Sequence, residues 1–379
     1  MKVEQTRWTK HRDWHPARPG GLGDSAQLVL AFGATALLKD GGLMAELTKA
    51  YPSARIFGCS TAGEISGVHV SDDSLVATAV NFEHTQIKGA RINIRDVGSS
   101  YEAGKRLARS LGVNGLVHAF VLSDGLKING SELVKGLAEH LPPGVTVTGG
   151  LSGDGDRFQQ TLVAWDGQVE EGAVTILGLY GDRLRVGYGS LGGWDSFGPE
   201  RLITRSKGNI LYELDNHCAL ELYKTYLGEH AAGLPATGLL FPLSLRTNGA
   251  ETAVVRTILA VDEDEQSMTF AGDVPEGAYA RLMKANFDRL IDGAVGAART
   301  SYEAIGSSSP DLAILISCVG RKMVLKQRIE EEVEGVRDVV GEHTVLTGFY
   351  SYGEISPFTP SAKCELHNQT MTITTFSEN

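Results

Sequence analysis

The sequence predicts an α/β protein of two related halves, whose mixed sheets are built on repeated strand–helix–strand units that end in glycine-rich loops. Three stretches of the 379 residues combine an apolar run, a helical pattern and a second apolar run. Two of these stretches end in the same pattern, Gly-x-x-x-x-Gly-Glu-Ile-Ser, at 58–66 and 348–356, and 147–154 is a looser third version. Polar groups that follow a buried strand lie at the edge of the sheet where α/β proteins often bind ligands.

The three units are predicted at 26–57, 116–148 and 312–347. In the first unit, residues 26–33 are continuously apolar, which is typical of a buried strand. Leu43 and Leu47 then share one face of a helix that Pro52 ends before the next strand. Parallel strands joined by a helix require a right-handed crossover.

Antiparallel strands are predicted between the units, at 74–82, 86–97, 161–166, 173–180 and 184–188, where alternating patterns are separated by Gly-Asp turns. A long helix is predicted from Pro275 to Ile305, because Leu282, Met283, Phe287 and Leu290 recur at helical spacing.

Three segments are predicted along the chain. Residues 1–26 are polar, with Gly and Pro, and are expected to form a flexible leader without the apolar stretch of a secretory signal. Composition changes near 200–220, which predicts one domain over 27–210 and a second over 211–379.

Charge and cysteine spacing exclude several classes of function. The formal net charge of −11 argues against nucleic acid or an anionic membrane as the main partner. No apolar run approaches the roughly 18 residues that span a bilayer. The four cysteines never form C-x-x-C, which excludes a zinc ribbon or a thioredoxin-type pair. These features predict a cytoplasmic protein without membrane insertion.

Motifs for catalysis are weak. Residues 187–192 fit G-x-G-x-x-G, but the glycines are followed by Gly198-Pro199 instead of a helix, so they indicate a turn. No G-x-S-x-G elbow is present. Cys59 follows a strand, as a reactive thiol would, yet no base has a diagnostic spacing from it. The sequence therefore favours a binding protein over an enzyme.

The three glycine-rich strand ends supply the candidate ligand-binding residues. Acidic Glu64, Asp154 and Glu354 would bind an ammonium or hydroxyl group, or would instead accept hydrogen bonds from the turns. Tyr350 and Tyr352 would line a pocket or pack in the core. The full candidate set is Cys59, Ser60, Glu64, Ser152, Asp154, Tyr350, Ser351, Tyr352 and Glu354.

Three histidines are candidate ligands for a metal or for haem iron: His367, with His217 and His343 as alternatives. A neutral imidazole is a usual haem ligand. A structural role is the alternative for each of them.

Several of these motifs, in this order along the chain, resemble the FIST family, which pairs a FIST N domain with a FIST C domain. The resemblance spans roughly 27–377, and its motifs lie at 58–64, 149–154, 219–228, 272–277, 353–355 and 365–370. It assigns 27–210 to a FIST N-like domain and 211–379 to a FIST C-like domain.

What the resemblance implies is a ligand-sensing protein of bacterial signal transduction. One branch of stand-alone FIST proteins binds haem, senses nitric oxide and regulates a separate histidine kinase or cyclic-di-GMP enzyme. Haem-based sensing of nitric oxide is therefore the first hypothesis. The alternatives are a haem-free sensor of a polar metabolite such as an amino acid, and a thiol-dependent enzyme that uses Cys59.

Overall fold

Three sheets with the same strand order form the frame of this computed structural model, which describes residues 1–247, 253–306, 309–358 and 363–378. The first unit of the chain contains β1 (Lys2–Thr9), β2 (Asp13–His15), β3 (Leu28–Gly33), α1 (Thr35–Asp40), α2 (Gly42–Ala50), β4 (Arg55–Ser60), β5 (Glu64–Ser66), β6 (His69–Ser71) and β7 (Ser74–Asn81). In it, β3 and β4 are parallel, and β3 also pairs with antiparallel β7, which pairs with β1.

The second unit repeats this arrangement. It contains β8 (Gln86–Asn93), α3 (Ser100–Ser110), β9 (Leu116–Ser123), α4 (Gly130–Ala138), β10 (Thr146–Leu151), β11 (Val163–Trp165), β12 (Gln168–Glu170) and β13 (Ala173–Tyr180). Here β9 and β10 are the parallel pair, and β13 lies between β9 and β8. Asn129 begins α4 as its N-cap, because its side chain accepts a hydrogen bond from the Glu132 N–H.

The third unit begins with β14 (Leu184–Leu191) and then carries an inserted β domain. The insertion contains β15 (Asp195–Lys207), β16 (Ile210–Leu214), β17 (His217–Cys218), α5 (Ala219–Leu227), β18 (Leu243–Arg246), β19 (Val254–Arg256), β20 (Ile258–Asp262), β21 (Ser267–Phe270) and β22 (Tyr279–Lys284). The unit resumes with α6 (Phe287–Ala304), β23 (Leu312–Cys318), α7 (Val319–Leu325), α8 (Ile329–Val340), β24 (Val345–Ser351), β25 (Gly353–Pro357), β26 (Cys364–His367) and β27 (Met371–Glu378). Short 3₁₀ helices lie at Gly23–Ser25, Ile94–Asp96, Gly228–Gly233, Ala236–Leu240 and Lys326–Arg328.

Each unit donates a hairpin to the sheet of another unit. The hairpin β5–β6 of the first unit pairs with β24 of the third. The hairpin β25–β26 of the third unit pairs with β10 of the second, and β11–β12 of the second pairs with β4 of the first. The exchange is cyclic, so each of the three sheets is completed by a different unit.

One glycine occupies the equivalent place in each parallel pair. Gly58 lies opposite Ala31, Gly149 opposite Val121, and Gly348 opposite Leu315. A Cβ atom on these glycines would lie 1.9, 1.9 and 1.8 Å from the carbonyl oxygen of that partner residue. Since no side chain fits there, the three strand ends require glycine.

The inner faces of the three sheets meet in a shared core. The residues one position before those partners, Leu30, Phe120 and Ile314, all belong to it. Two hydroxyl pairs join the sheets across this core: Thr78 Oγ1 to Thr347 Oγ1 at 2.9 Å, and Thr374 Oγ1 to Thr148 Oγ1 at 2.8 Å. The helices cover the outer faces of the sheets.

The α/β class with mixed sheets is confirmed, and the repeat occurs three times instead of forming two halves. The sequence showed the three strand–helix–strand units but not that β14 belongs to the third, because the insertion, 195–284, separates β14 from the rest of that unit. The predicted boundary at 210 falls at the turn between β15 and β16, which pair with each other.

Residues 1–26 do not form a flexible leader. β1 pairs with β7 along its full length, from Lys2 opposite Asn81 to Thr9 opposite Ser74, and Thr6 is buried. The polar composition misled the prediction, because β1 obtains its hydrogen bonds from a strand about 70 residues away in the chain.

The predicted helix at 275–305 is a strand in its first part. β22 pairs with β15 and β18, and Asn286 caps α6 by accepting a hydrogen bond from the Arg289 N–H. The apolar spacing at 282–283 serves the sheet of the insertion. In the parts of the chain that the structure describes, no helix is long and apolar enough to cross a membrane.

We expect Gly58→Ala to destabilise the fold by about 1–3 kcal/mol or more, because the added Cβ overlaps the Ala31 carbonyl oxygen and the strands must separate. Gly112→Ala is the matched control, since a Cβ there meets nothing within 4 Å. Urea unfolding of the two variants measures the difference. Equal midpoints would contradict the role of Gly58.

Candidate ligand-binding cleft

The two glutamates of the repeated Gly-Glu-Ile-Ser pattern, Glu64 and Glu354, are buried and bonded to their own units. Glu64 accepts hydrogen bonds from Thr61 Oγ1 and from the backbone N–H and hydroxyl of Ser74, at 3.2 and 2.6 Å. Glu354 accepts from Ser351 Oγ at 2.6 Å and from the N–H and hydroxyl of Thr370 at 3.2 and 3.0 Å. Each carboxyl thus ties a donated hairpin back to the start of the last strand of its own unit.

The third strand end differs in spacing. Asp154 lies five residues after Gly149, whereas Glu64 and Glu354 lie six residues after their glycines. It accepts hydrogen bonds from the Gln159 and Gln160 N–H groups, both at 3.0 Å, and from the Tyr352 hydroxyl. Because Asp154 bonds to these groups and not to Ser152, the buried Ser152 hydroxyl has no hydrogen-bond partner among the described residues.

The remaining strand-end candidates are also buried. Cys59 belongs to the shared core, and Ser60 Oγ accepts a hydrogen bond from the Leu162 N–H at 2.8 Å. The Tyr350 hydroxyl donates to Glu332 Oε1 at 2.7 Å, and Tyr352 stacks on Phe158 with ring centroids 4.5 Å apart. None of the nine predicted residues lines the large cleft described below. Their role in ligand binding stays a prediction.

Burial makes the two glutamates weaker acids than usual. Loss of hydration raises the pKa of the Glu64 carboxyl to about 7 and that of Glu354 to about 8, against the opposing effect of the hydrogen bonds that they accept. Near neutral pH, both groups therefore exchange protons in the folded protein.

A cleft of 920 Å³ lies between the second unit and the insertion. One wall is α4 with the loop at 141–147, and the other is β18, β19 and the turn at 272–275. Residues 363–366, at the start of β26, form a third side. Its apolar lining includes Val134, Leu141, Val145, Leu245 and Val254, and its charged lining is Lys135, Glu139, Arg256, Asp273, Lys363 and Glu365.

Arg256 is the buried charged residue of this cleft, with 6% of its surface exposed. Its Nη1 donates to Leu366 O at 2.9 Å and to Val255 O at 3.3 Å, and its Nε donates to Asp273 O at 3.1 Å. All three acceptors are backbone carbonyls. Burial lowers the pKa of this guanidinium, which remains charged at neutral pH.

The segment 366–369 joins the insertion to the three-unit core. Besides the bond from Arg256 to Leu366, Asn368 Oδ1 accepts from the Thr257 N–H at 3.4 Å. Gln369 Nε2 donates to Leu239 O at 3.0 Å, and Trp194 Nε1 donates to Gln369 O at 2.9 Å. The cleft therefore borders the contact through which the insertion is held.

The three candidate histidines lie apart from the cleft. His367 is buried and its Nε2 donates to Ser356 O at 2.8 Å, and burial lowers its pKa to about 4. His217 and His343 are exposed in other parts of the fold. Among the described residues, no group of three or more His, Cys, Asp or Glu side chains is placed to hold a metal ion. Ligation of haem iron by one of these histidines stays a prediction.

Sequence reasoning missed the cleft and Arg256. The available signal was a single arginine within the apolar run at 254–260, where an exposed strand would alternate with more polar residues. The walls come from segments more than 100 residues apart, which no local pattern connects.

Comparison with known proteins adds the family. The family model described as the FIST N domain matches residues 27–217, and the one described as the FIST C domain matches 219–357. An uncharacterized protein of Methanocaldococcus jannaschii is 23% identical over 315 residues, which cover 75% of this chain and 58% of that protein. The chain thus spans less than two thirds of that relative's length.

Among solved structures, cyanuric acid hydrolase from A. caulinodans is similar with 12% identity and a TM-score of 0.19, over 78% of this chain and 99% of that one. A TM-score of this size supports no conclusion about fold or function.

We expect the contribution of Glu354 to the free energy of unfolding to fall as the pH rises from about 5 to about 8. In this window the folded state, with the pKa of Glu354 raised from 4.5 to about 8, keeps a proton on this carboxyl that the unfolded chain releases. The contribution has a slope of up to roughly 1.4 kcal/mol per pH unit. His118 and His367, whose pKa values burial lowers to about 3 and about 4, act in the opposite direction below about pH 6.5, so each variant is compared with the unmodified protein.

The stability of the unmodified protein minus that of Glu354→Gln, measured by urea unfolding, should decrease as the pH rises, whereas the difference for exposed Glu334→Gln should stay constant. A difference for Glu354→Gln that does not change with pH would contradict the assignment.

Proposed function

The chain belongs to the FIST family, and on that premise we propose that it is a ligand-sensing protein of signal transduction that binds a small polar metabolite, such as an amino acid, in the cleft between α4 and the insertion. The single observation that carries the proposal is the position of this cleft. It lies between a helix of the part matched by the FIST N domain and strands of the part matched by the FIST C domain. Ligand sites commonly lie between domains and have volumes of roughly 300–1,000 Å³.

The lining of the cleft suits an amino acid. Charged groups of both signs lie beside apolar side chains, so a zwitterion with an apolar side chain finds partners for each part. A binding role is also favoured over thiol catalysis, because Cys59 is fully buried and burial raises the pKa of its thiol, which opposes formation of a thiolate.

Ligand binding would change the position of the insertion. A ligand that contacts both α4 and β19 stabilises the arrangement that brings these walls together, and the bonds at 366–369 carry that preference to the core. The output partner that the resemblance implies is a separate histidine kinase or cyclic-di-GMP enzyme. Such a partner would bind one arrangement of the insertion more tightly than the other.

Haem binding with nitric oxide sensing stays a prediction from the resemblance. His367 lies in the motif that suggested it, but its Nε2 proton is held by Ser356 O. The absorption spectrum of the purified protein during titration with haem tests it. A Soret band that His367→Ala removes would support haem over the metabolite, and a featureless titration would eliminate it.

We expect one or more of the twenty L-amino acids to raise the melting temperature in a concentration-dependent manner, since a ligand that binds only the folded state stabilises it. Ala138→Trp should abolish this shift, because Ala138 is an exposed residue of α4 that lines the cleft, and an indole there fills it. Differential scanning fluorimetry measures both effects.

The matched control is Ala45→Trp, an exposed alanine in α2 outside the cleft, which should respond to the amino acids as the unmodified protein does. If no amino acid raises the melting temperature, or if Ala138→Trp responds unchanged, this cleft does not bind an amino acid.

A further inference from the structure

Arg256 carries an inference beyond the location of the site. We propose that the ligand of the cleft carries an oxyanion, a carboxylate or a phosphate group, and that Arg256 Nη2 binds this group. The proposal rests on the proposed function, which supplies the cleft as the binding site, and it adds the chemical group that the site recognises.

One nitrogen of the Arg256 guanidinium is an unused hydrogen-bond donor. The hydrogen bonds of Arg256 to described residues use Nη1 and Nε, and none uses Nη2. This nitrogen is also not among the fully enclosed polar atoms that lack a partner, and Arg256 lines the cleft. Nη2 therefore reaches the space of the cleft, where its two N–H groups are available to a ligand.

The charge of the buried Arg256 guanidinium also favours an anionic ligand. Burying a guanidinium away from water is costly unless an opposite charge compensates for it. Arg321, the other deeply buried arginine, follows this rule, because its Nη2 lies 2.7 Å from Glu332 Oε2. Arg256 forms no ion pair with any residue that the structure describes, and its acceptors are neutral carbonyls. The carboxylates of Glu365 and Asp273 act on this charge without forming an ion pair with it, and an oxyanion in the cleft would supply a directly bonded counter-charge.

The other charged residues of the cleft also favour an anionic ligand. Lys135 and Lys363 are exposed on its lining and form no ion pair within the described parts of the chain. Two of the three acids are already engaged: Asp273 Oδ1 accepts from Asn129 Nδ2 at 2.9 Å, and Glu139 Oε2 from the Tyr101 hydroxyl at 2.6 Å. The third acid, Glu365, is exposed and forms no ion pair among the described residues, so two such lysines stand against one such carboxylate, which favours an anionic group at this end of a ligand.

The backbone bonds of Arg256 orient the guanidinium before any ligand arrives. Its Nη1 and Nε are fixed by Leu366 O and Asp273 O, which lie in the core and in the insertion. An oriented donor binds an oxyanion without a large loss of side-chain entropy. The bond to Leu366 O would connect a bound oxyanion directly to the segment 366–369.

The test needs no variant in its first part. Isothermal titration compares the amino acid that stabilises the protein most with its carboxamide, which lacks the carboxylate, and with inorganic phosphate. We expect the carboxamide to bind about tenfold more weakly or worse, because a charge-assisted hydrogen bond is lost. Displacement of the amino acid by phosphate would show that the site accepts either oxyanion, and binding of phosphate alone would identify phosphate as the group recognised.

In the second part, Arg256→Gln should weaken binding of the acid by about tenfold or more and leave the affinity for the carboxamide nearly unchanged. Arg205→Gln is the control, since Arg205 is an exposed residue of the insertion that pairs with Glu213 outside the cleft. If Arg256→Gln does not fold, the comparison of acid and carboxamide on the unmodified protein decides.

The outcomes separate the two proposals. Equal affinities for acid and carboxamide would overturn the oxyanion inference while leaving the cleft as the sensing site. Failure of every amino acid and of phosphate to bind would overturn both.

Discussion

The cyclic exchange of hairpins between three units is the constraint on which the rest of the structure depends. Each parallel strand pair is completed by a hairpin from another unit, so each sheet contains strands of two units. The exchange requires the backbone to leave a strand end where neighbouring strands are in close contact. Gly58, Gly149 and Gly348 allow this, since a Cβ there would overlap a carbonyl oxygen.

The polar side chains that follow these glycines serve the same exchange. Glu64 and Glu354 bind the hydroxyl and N–H groups at the start of the last strand of their units, which holds each crossing segment at its turning point. Their burial makes them sensitive to pH, because the protonated carboxyl is favoured in the absence of water. The buried pair of Arg321 and Glu332 extends this fixation, since Arg321 Nη1 also holds Gly192 O where the chain leaves for the insertion.

In the proposed function, ligand binding and fixation are separated. The strand ends are filled by their own hydrogen bonds, whereas the cleft lies where the insertion meets α4. Its two walls are bonded to each other through Asp273, which contacts Asn129 and Ser131, and the segment 366–369 joins the insertion to the core. Arg256 belongs to both features, as a donor in that joint and as the buried cation of the cleft.

Local sequence determined the α/β class, most strands and the helix that contains Leu43 and Leu47, because the period of apolar residues and the positions of Gly and Pro act over a few residues. It also located the glycine-rich ends and, through several ordered motifs, the family. Tertiary structure alone decided that Lys2–Thr9 is a strand, that the chain at 279–284 joins a sheet, and that Glu64 and Glu354 are held by Ser74 and Thr370. Those outcomes depend on partners far away in the chain. The cleft was decided in the same way, because α4 and the strands of the insertion that form its walls lie more than 100 residues apart in the chain.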